Sequence, residues 1–100
     1  WLSNWMLRFD EADAFAGCLA KMEELSRIAG QCKGKILFVT NEVGSGIVPE
    51  YALGRMFRDL AGILNQKMAA VCEEVYLVTA GIPVELKKWA FHLGTSEIDL

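Results

Sequence analysis

The feature that most constrains this chain is the continuous stretch from Ile36 to Gln66, which predicts a strand, a turn and a helix. The segment Ile36–Thr40 is apolar except for its last residue, which is typical of a strand buried on both faces. A polar turn with several glycines follows over residues 41–46. A helix then extends to about Glu73, because apolar residues recur at i, i+3, i+4 and i+7 spacing: Leu53, Met56, Phe57, Leu60, Leu64 and Met68.

The other side of this helix differs from an ordinary solvent-exposed face. A solvated face is usually rich in Lys and Glu, whereas this one combines planar cationic groups, one acid, two amides and a glycine. Its members are Arg55, Arg58, Asp59, Gly62, Asn65 and Gln66. This composition predicts contact with another protein surface.

The remaining segments complete an α/β pattern. Trp1–Phe9 predicts an apolar helical start, and a second helix follows, beginning near Asp10 or Asp13 and ending near Gly30. Val75–Ala80 predicts a second buried strand. The order helix, helix, strand, helix, strand therefore predicts a right-handed crossover between two parallel strands.

After this second strand, Val84–Lys87 predicts a short final strand, and residues 88–100 are expected to form a loose tail.

Composition excludes some functional classes. The length of 100 residues fits one domain, and the net charge of -3 gives no basic surface for nucleic acid. The hydrophobic fraction of 53% is high, yet no apolar run approaches the roughly 18 residues that a membrane span requires. The three cysteines are odd in number and lack metal-binding spacing, which predicts free thiols in a reducing cytoplasm.

The aromatic start at Trp1 predicts that the chain is a piece of a longer protein.

Two glycine-containing segments partly match phosphate-binding loops. The segment Gly30–Ile36 has one spacer too few, lacks the hydroxyl residue and precedes a strand, so it is not a P-loop. The turn with Gly44 and Gly46 lies between a strand and a helix, but Pro49 replaces the third glycine of the dinucleotide pattern. A turn whose glycines permit positive φ is the stronger interpretation.

Asn41 and Glu42 come at the carboxyl end of the first predicted strand, where open α/β sheets bind ligands. Glu42 is expected either to orient a metal-bound water or to form a buried salt bridge with Arg55 or Arg58. These two roles remain open. The single histidine, His92, is expected to be a surface residue, and no Ser-His-Asp or Cys-His set can be assembled near the turn.

The motifs together resemble a known enzyme family. TNEVGSGIVP at Thr40–Pro49 is followed by RxFRDxxGxxNQ at Arg55–Gln66 and by the strand Val75–Gly81. These segments resemble the C-terminal half of the bifunctional adenosylcobinamide kinase/adenosylcobinamide-phosphate guanylyltransferases. Trp1–Asn4 resembles the segment after that family's Walker-B-like Asp-Cys-Leu-Thr, and the similarity extends from Trp1 to about Lys87.

The resemblance implies a P-loop, RecA-like nucleotide-binding fold with a mainly parallel sheet and a homotrimeric, cytoplasmic assembly. It implies a transferase of cobalamin biosynthesis that phosphorylates adenosylcobinamide with GTP or ATP and Mg²⁺. The enzyme then transfers GMP from GTP to adenosylcobinamide phosphate through a guanylylated histidine. Residues 1–100 would be the C-terminal portion of this single domain.

The resemblance places no catalytic residue in this chain, because the P-loop, the guanylylated histidine and the Walker-B-like aspartate precede the matching segment. The chain alone is therefore expected to be inactive and to bind no nucleotide or metal tightly. The residues expected to border the site are Asn41, Glu42, Gly44 and Gly46. A polar contact, between subunits or against the rest of the domain, is expected from Arg55, Arg58, Asp59, Asn65 and Gln66.

Two alternative functions remain. In the first alternative, the chain is a non-catalytic interaction module whose arginine-bearing helix binds a partner. In the second and weaker alternative, Gly44 and Gly46 belong to a fragment of a dinucleotide-binding oxidoreductase.

Overall fold

A computed structural model describes residues 1–41 and 52–91. The elements follow one another as three helices, a hairpin and a 3₁₀ turn. They are α1 (Leu2–Met6), α2 (Ala14–Gln31), α3 (Ala52–Val71), β1 (Tyr76–Thr79), β2 (Ile82–Glu85) and the 3₁₀ turn (Lys87–Trp89). The chain therefore combines α and β structure, with the helices and the strands in separate parts of the sequence.

The three helices form the hydrophobic core. The residues buried where they meet are Leu2, Met6, Cys18, Met22, Leu60 and Ala61. Met22, Leu60 and Cys18 are the largest fully buried side chains, so each helix pair is joined by apolar contact. The predicted apolar face of α3 is confirmed at Leu60 and Met68, both of which are buried.

Aromatic contacts fix the N-terminal segment on α2. The ring of Trp5 lies 6.5 Å from that of Trp1 in an edge-on arrangement and 6.4 Å from that of Phe9. Lys21 Nζ lies 4.3 Å from the centroid of the Trp5 ring, within the range of a cation–π interaction. Phe9 packs where Gly17 leaves room, since a Cβ at that position would lie 2.6 Å from the Phe9 ring.

The hairpin β1–β2 is antiparallel, with Tyr76 opposite Glu85 and Thr79 opposite Ile82. Its two-residue turn has φ values of 52° at Ala80 and 75° at Gly81. Positive φ at both positions is the mark of a type I′ turn, whose twist matches that of the strands.

Glu85 ties the base of the hairpin together. Its carboxylate accepts hydrogen bonds from the backbone N–H of Val75 at 2.6 Å and from that of Lys88 at 2.8 Å. The N–H of Leu86 donates to the carbonyl of Val75 at 2.7 Å, and Lys87 Nζ donates to the carbonyl of Cys72. The end of α3, the hairpin and the 3₁₀ turn are thus connected by polar contacts.

The structure corrects the prediction of a buried strand at Ile36–Thr40. These residues form no regular secondary structure, and Leu37 and Val39 are 88% and 87% exposed. A strand needs a neighbour to satisfy its backbone groups, and among the described residues β1 pairs with β2 instead. The predicted pair of parallel strands is therefore not formed by this part of the chain.

The other predicted elements lie close to their observed positions. The strand predicted at Val75–Ala80 is found as β1, but the prediction that it is buried is wrong, because all four of its residues are exposed. The strand predicted at Val84–Lys87 lies two residues earlier, at Ile82–Glu85. The N-terminal helix is shorter than predicted, and α3 ends at Val71. Most of the predicted tail, residues 92–100, lies outside the described residues. No helix within residues 1–41 and 52–91 combines the length and apolar character needed to cross a membrane.

Candidate functional site

The polar face of α3 is set by the packing of the opposite face. Leu60, Ala61 and Met68 are buried, and Ile63 and Leu64 pack against the helical core, so the polar residues of α3 lie mainly on its other side. Arg55, Asp59 and Gln66 are exposed, whereas Arg58 and Asn65 are half-buried at one flank. The helical period places Arg58 and Asn65 on one line of the surface, about 10 Å apart along the helix axis.

Asn65 joins this face to the segment that precedes the glycine-rich turn. The hydroxyl of Thr40 donates a hydrogen bond to Asn65 Oδ1 at 2.8 Å. Asn65 Nδ2 donates to the backbone carbonyl of Asn41 at 3.1 Å. We call these three residues the Asn65 clamp. It brings Asn41, a predicted site-bordering residue, onto the surface of α3.

Three of the predicted site residues lie outside the described residues: Glu42, Gly44 and Gly46. The proposed alternatives for Glu42, a metal-bound water or a salt bridge to Arg55 or Arg58, therefore stay predictions. Arg55 interacts with another group of the protein. The helical period places Arg58 on the same side of α3 as Asn65, and a guanidinium is suited to binding a phosphate or carboxylate.

The groups with altered pKa values lie in the hairpin and in the core. The N–H of Val75 holds the pKa of the Glu85 carboxyl below its usual value. A hydrogen bond to Glu74 raises the pKa of Tyr76, and burial raises the pKa of the Cys18 thiol. These shifts follow from structural contacts of the hairpin and core.

Sequence reasoning did not anticipate two contacts. The bond between Thr40 and Asn65 joins residues 25 positions apart, and no local spacing rule connects them. The sequence gives only a weak indication of the role of Glu85. It is an acid at the end of a strand and before a turn, where a carboxylate can accept hydrogen bonds from free backbone N–H groups.

Comparison with known proteins identifies the family. The family model for cobinamide kinase / cobinamide phosphate guanyltransferase matches residues 1–86 of the chain. The chain belongs to this family. The resemblance inferred from the motifs at Thr40–Pro49 and Arg55–Gln66 is thereby confirmed.

Three curated members of the cobinamide kinase family are similar to the chain. The bifunctional adenosylcobalamin biosynthesis protein CobU of Escherichia coli is 50% identical over 68 residues, covering 68% of this chain and 38% of that protein. The protein of the same name from Salmonella typhimurium is 56% identical over 57 residues, covering 57% and 32%. The bifunctional adenosylcobalamin biosynthesis protein CobP of Pseudomonas aeruginosa is 39% identical over 87 residues, covering 87% and 48%. The chain thus matches less than half the length of each of these relatives.

Proposed function

We propose that this chain is the C-terminal part of an enzyme that phosphorylates adenosylcobinamide and then transfers GMP from GTP to adenosylcobinamide phosphate. The observation that carries this proposal is the family match over residues 1–86. Relatives with up to 56% identity are named as bifunctional proteins of adenosylcobalamin biosynthesis, which agrees with it.

In this proposal, the chain forms one border of the reaction site, and another part of the protein binds the phosphates of the nucleotide. Phosphoryl transfer depends on positioning the phosphates and on stabilising their charge. Asn41, Glu42, Gly44 and Gly46 would border the site, and the Asn65 clamp holds the first of these against α3. The other polar side chains of α3, Arg58 among them, would contact the rest of the domain or another subunit.

A magnesium ion would accompany the nucleotide in the whole enzyme, where such an ion is commonly held by one or two carboxylates together with phosphate oxygens and water. Within residues 1–41 and 52–91, no three His, Cys, Asp or Glu side chains are grouped so as to hold a metal ion. We therefore assign no step of the reaction to a metal held by these residues.

The proposal extends to the fold and the assembly of the whole protein, which we infer to be a cytoplasmic, P-loop, RecA-like homotrimer with a mainly parallel sheet. The exposure of Leu37 and Val39 supports this inference, because the described residues leave these two apolar side chains almost uncovered. Such a segment would be covered if further strands and helices lay beside it.

The decisive experiment compares the 100-residue chain with the full-length protein of the same gene. Each is incubated with adenosylcobinamide and GTP, and both adenosylcobinamide phosphate and its GDP derivative are measured by liquid chromatography and mass spectrometry. We expect both products with the full-length protein and neither with the short chain. If the short chain forms either product, the proposal that another part of the protein binds the phosphates is contradicted. If the full-length protein forms no product, the alternative of a non-catalytic interaction module is favoured.

The contribution of the α3 face is tested in the full-length protein with Arg58→Ala. We expect loss of activity, of the trimer or of both, since a guanidinium contact to a phosphate or a neighbouring surface disappears. Arg27→Ala is the matched control, because Arg27 is exposed on α2 and is expected to be solvated. Equal behaviour of the two variants would contradict the proposed role of Arg58.

A further inference from the structure

We infer that Asn65 is a positioning residue, whose carboxamide fixes the backbone at Thr40–Asn41 and thereby sets where the site-bordering turn begins. This inference rests on the proposed function, which places that turn at the reaction site. It assigns Asn65 a role within its own chain, in place of a contact with another subunit.

The geometry of the clamp uses both ends of the Asn65 carboxamide. Its oxygen accepts the Thr40 hydroxyl at 2.8 Å, and its nitrogen donates to the Asn41 carbonyl at 3.1 Å. The amide is planar, so two simultaneous bonds fix both its rotation and the separation of its partners. The Thr40 hydroxyl lies 3.5 Å from the Asn41 carbonyl, too far to compete with the bond to Asn65.

The two sides of the clamp differ in how firmly they are held. Asn65 lies on a helix that is anchored by buried residues before and after it, Leu60, Ala61 and Met68. The segment before Thr40 is exposed at Leu37 and Val39 and has no strand partner among the described residues. The rigid helix therefore fixes the segment, as a supporting shell fixes the groups of a reaction site.

The chemistry of the clamp requires an asparagine. An aspartate at position 65 would still accept the Thr40 hydroxyl, but its carboxylate would repel the Asn41 carbonyl. A serine at position 40 keeps the hydroxyl donor, whereas a valine has a similar shape without it. These differences provide a graded set of variants.

The test measures kcat and KM of the full-length enzyme for Asn65→Ala, Asn65→Asp, Thr40→Val and Thr40→Ser. We expect kcat of Asn65→Ala to fall by about tenfold to a hundredfold with little change in KM, because small misplacements of a reaction site are costly. Thr40→Ser should retain activity and Thr40→Val should lose part of it. Adding Thr40→Val to Asn65→Ala should cause no further loss, since the bond is already absent.

Ala70→Asp is the control for the charge introduced by Asn65→Asp, because Ala70 is an exposed residue of the same helix. We expect this control to retain activity. Independent, multiplying losses in the double variant, or a change in oligomer mass with Asn65→Ala, would overturn the inference and favour an intersubunit contact.

A second readout separates the clamp from the proposed function. If the wild-type full-length protein has no activity, the proposed function fails and the clamp is tested by NMR of the Asn65 side-chain amide. We expect its two proton signals to shift in Thr40→Val and to return toward the wild-type positions in Thr40→Ser. Signals that do not respond to Thr40→Val would overturn the clamp itself.

Discussion

At the scale of single residues, Leu60 is the largest fully buried side chain of α3. It is fully buried at 0% exposure, in the cluster that α3 shares with α1 and α2. Its neighbours in the cluster include Met22 and Met6. Leu53, on the same predicted face of α3, is 49% exposed and so contributes less to the core.

Leu60→Ala is expected to lower the free energy of unfolding by about 2–5 kcal/mol, because it removes buried methyl groups and leaves a cavity. Leu53→Ala, the matched control, should cost far less. Urea unfolding followed by circular dichroism measures both. Similar losses for the two variants would contradict the position of the core.

Ala80 is strained, because it has a φ of 52° in a turn that favours asparagine or glycine. Ala80→Asn is expected to stabilise the hairpin by about 1 kcal/mol. Ala70→Asn, in an exposed part of α3, should instead be slightly destabilising, since asparagine is a poorer helix former than alanine. Amide hydrogen exchange in β1, β2 and α3 would measure both changes. Faster exchange in the hairpin of Ala80→Asn would contradict the type I′ turn.

At the scale of elements, the hairpin depends on Glu85. Its pKa is lowered chiefly by the N–H of Val75, opposed by partial desolvation and supported by the N–H of Lys88. A group whose pKa is lowered by folding stabilises the fold above its unfolded pKa, and the contribution is lost as pH falls through the folded pKa. The nearby charged and titratable groups are Glu74, Tyr76 and Lys87.

We therefore expect the base of the hairpin to loosen when the pH falls from about 7 to about 3, below the ordinary range of a glutamate. The NMR signals of the Val75 and Lys88 amides should move with the titration of Glu85. Glu85→Gln should lose at least one of the two bonds and abolish this titration, whereas Glu73→Gln, an exposed neighbour, should not. Amides that do not respond to pH would contradict the role of Glu85 at the base of the hairpin.

The elements also indicate what the sequence can predict. Helices α2 and α3 were predicted because their apolar residues repeat with the helical period, a local property of the chain. The two strands of the hairpin were predicted, but their antiparallel pairing was not, since Ala80–Gly81 lacks the usual Asn-Gly signal and Pro83 argues against a strand at its position. Pro83 lies opposite Val78, one pair beyond the pair that flanks the turn, where no ladder hydrogen bond is required of its nitrogen.

The segment Ile36–Thr40 shows a different limit. Its composition predicts burial on both faces, but pairing depends on residues distant in sequence. Of the site, the polar face of α3 was predicted from its residue types. The bond that brings Thr40 to Asn65 was not, because it depends on the path of the chain between them.

At the scale of the whole molecule, a large apolar surface is exposed. The exposed side chains lie mainly in three places: the segment before the clamp (Ile36, Leu37, Phe38, Val39), the hairpin (Tyr76, Leu77, Val78, Ile82, Val84) and the residues after it (Leu86, Trp89, Phe91). Where exposed apolar side chains of this kind form a patch, the patch usually contacts another protein surface. Within the described part of the chain, the outer edges of the hairpin also have no strand partner, and such edges favour association between strands.

We expect the 100-residue chain to self-associate and to bind a hydrophobic dye. The double variant Leu37→Asp and Val39→Asp should reduce both, because it places charges on an exposed apolar segment. Leu7→Asp is the control, since Leu7 is 76% exposed in a different part of the chain. Light scattering and dye fluorescence measure these effects. A stable monomer that binds no dye would contradict the prediction.

The three thiols have very different access to solvent, with Cys18 buried, Cys72 partly buried and Cys32 exposed. A variant in which Cys32 and Cys72 are replaced by serine keeps only the thiol enclosed by the three helices. An alkylating reagent in solution would then react with Cys18 only when the helices separate, since the buried thiol must first become exposed. In this variant, the rate of Cys18 alkylation therefore reports how often the helical core opens in the absence of denaturant.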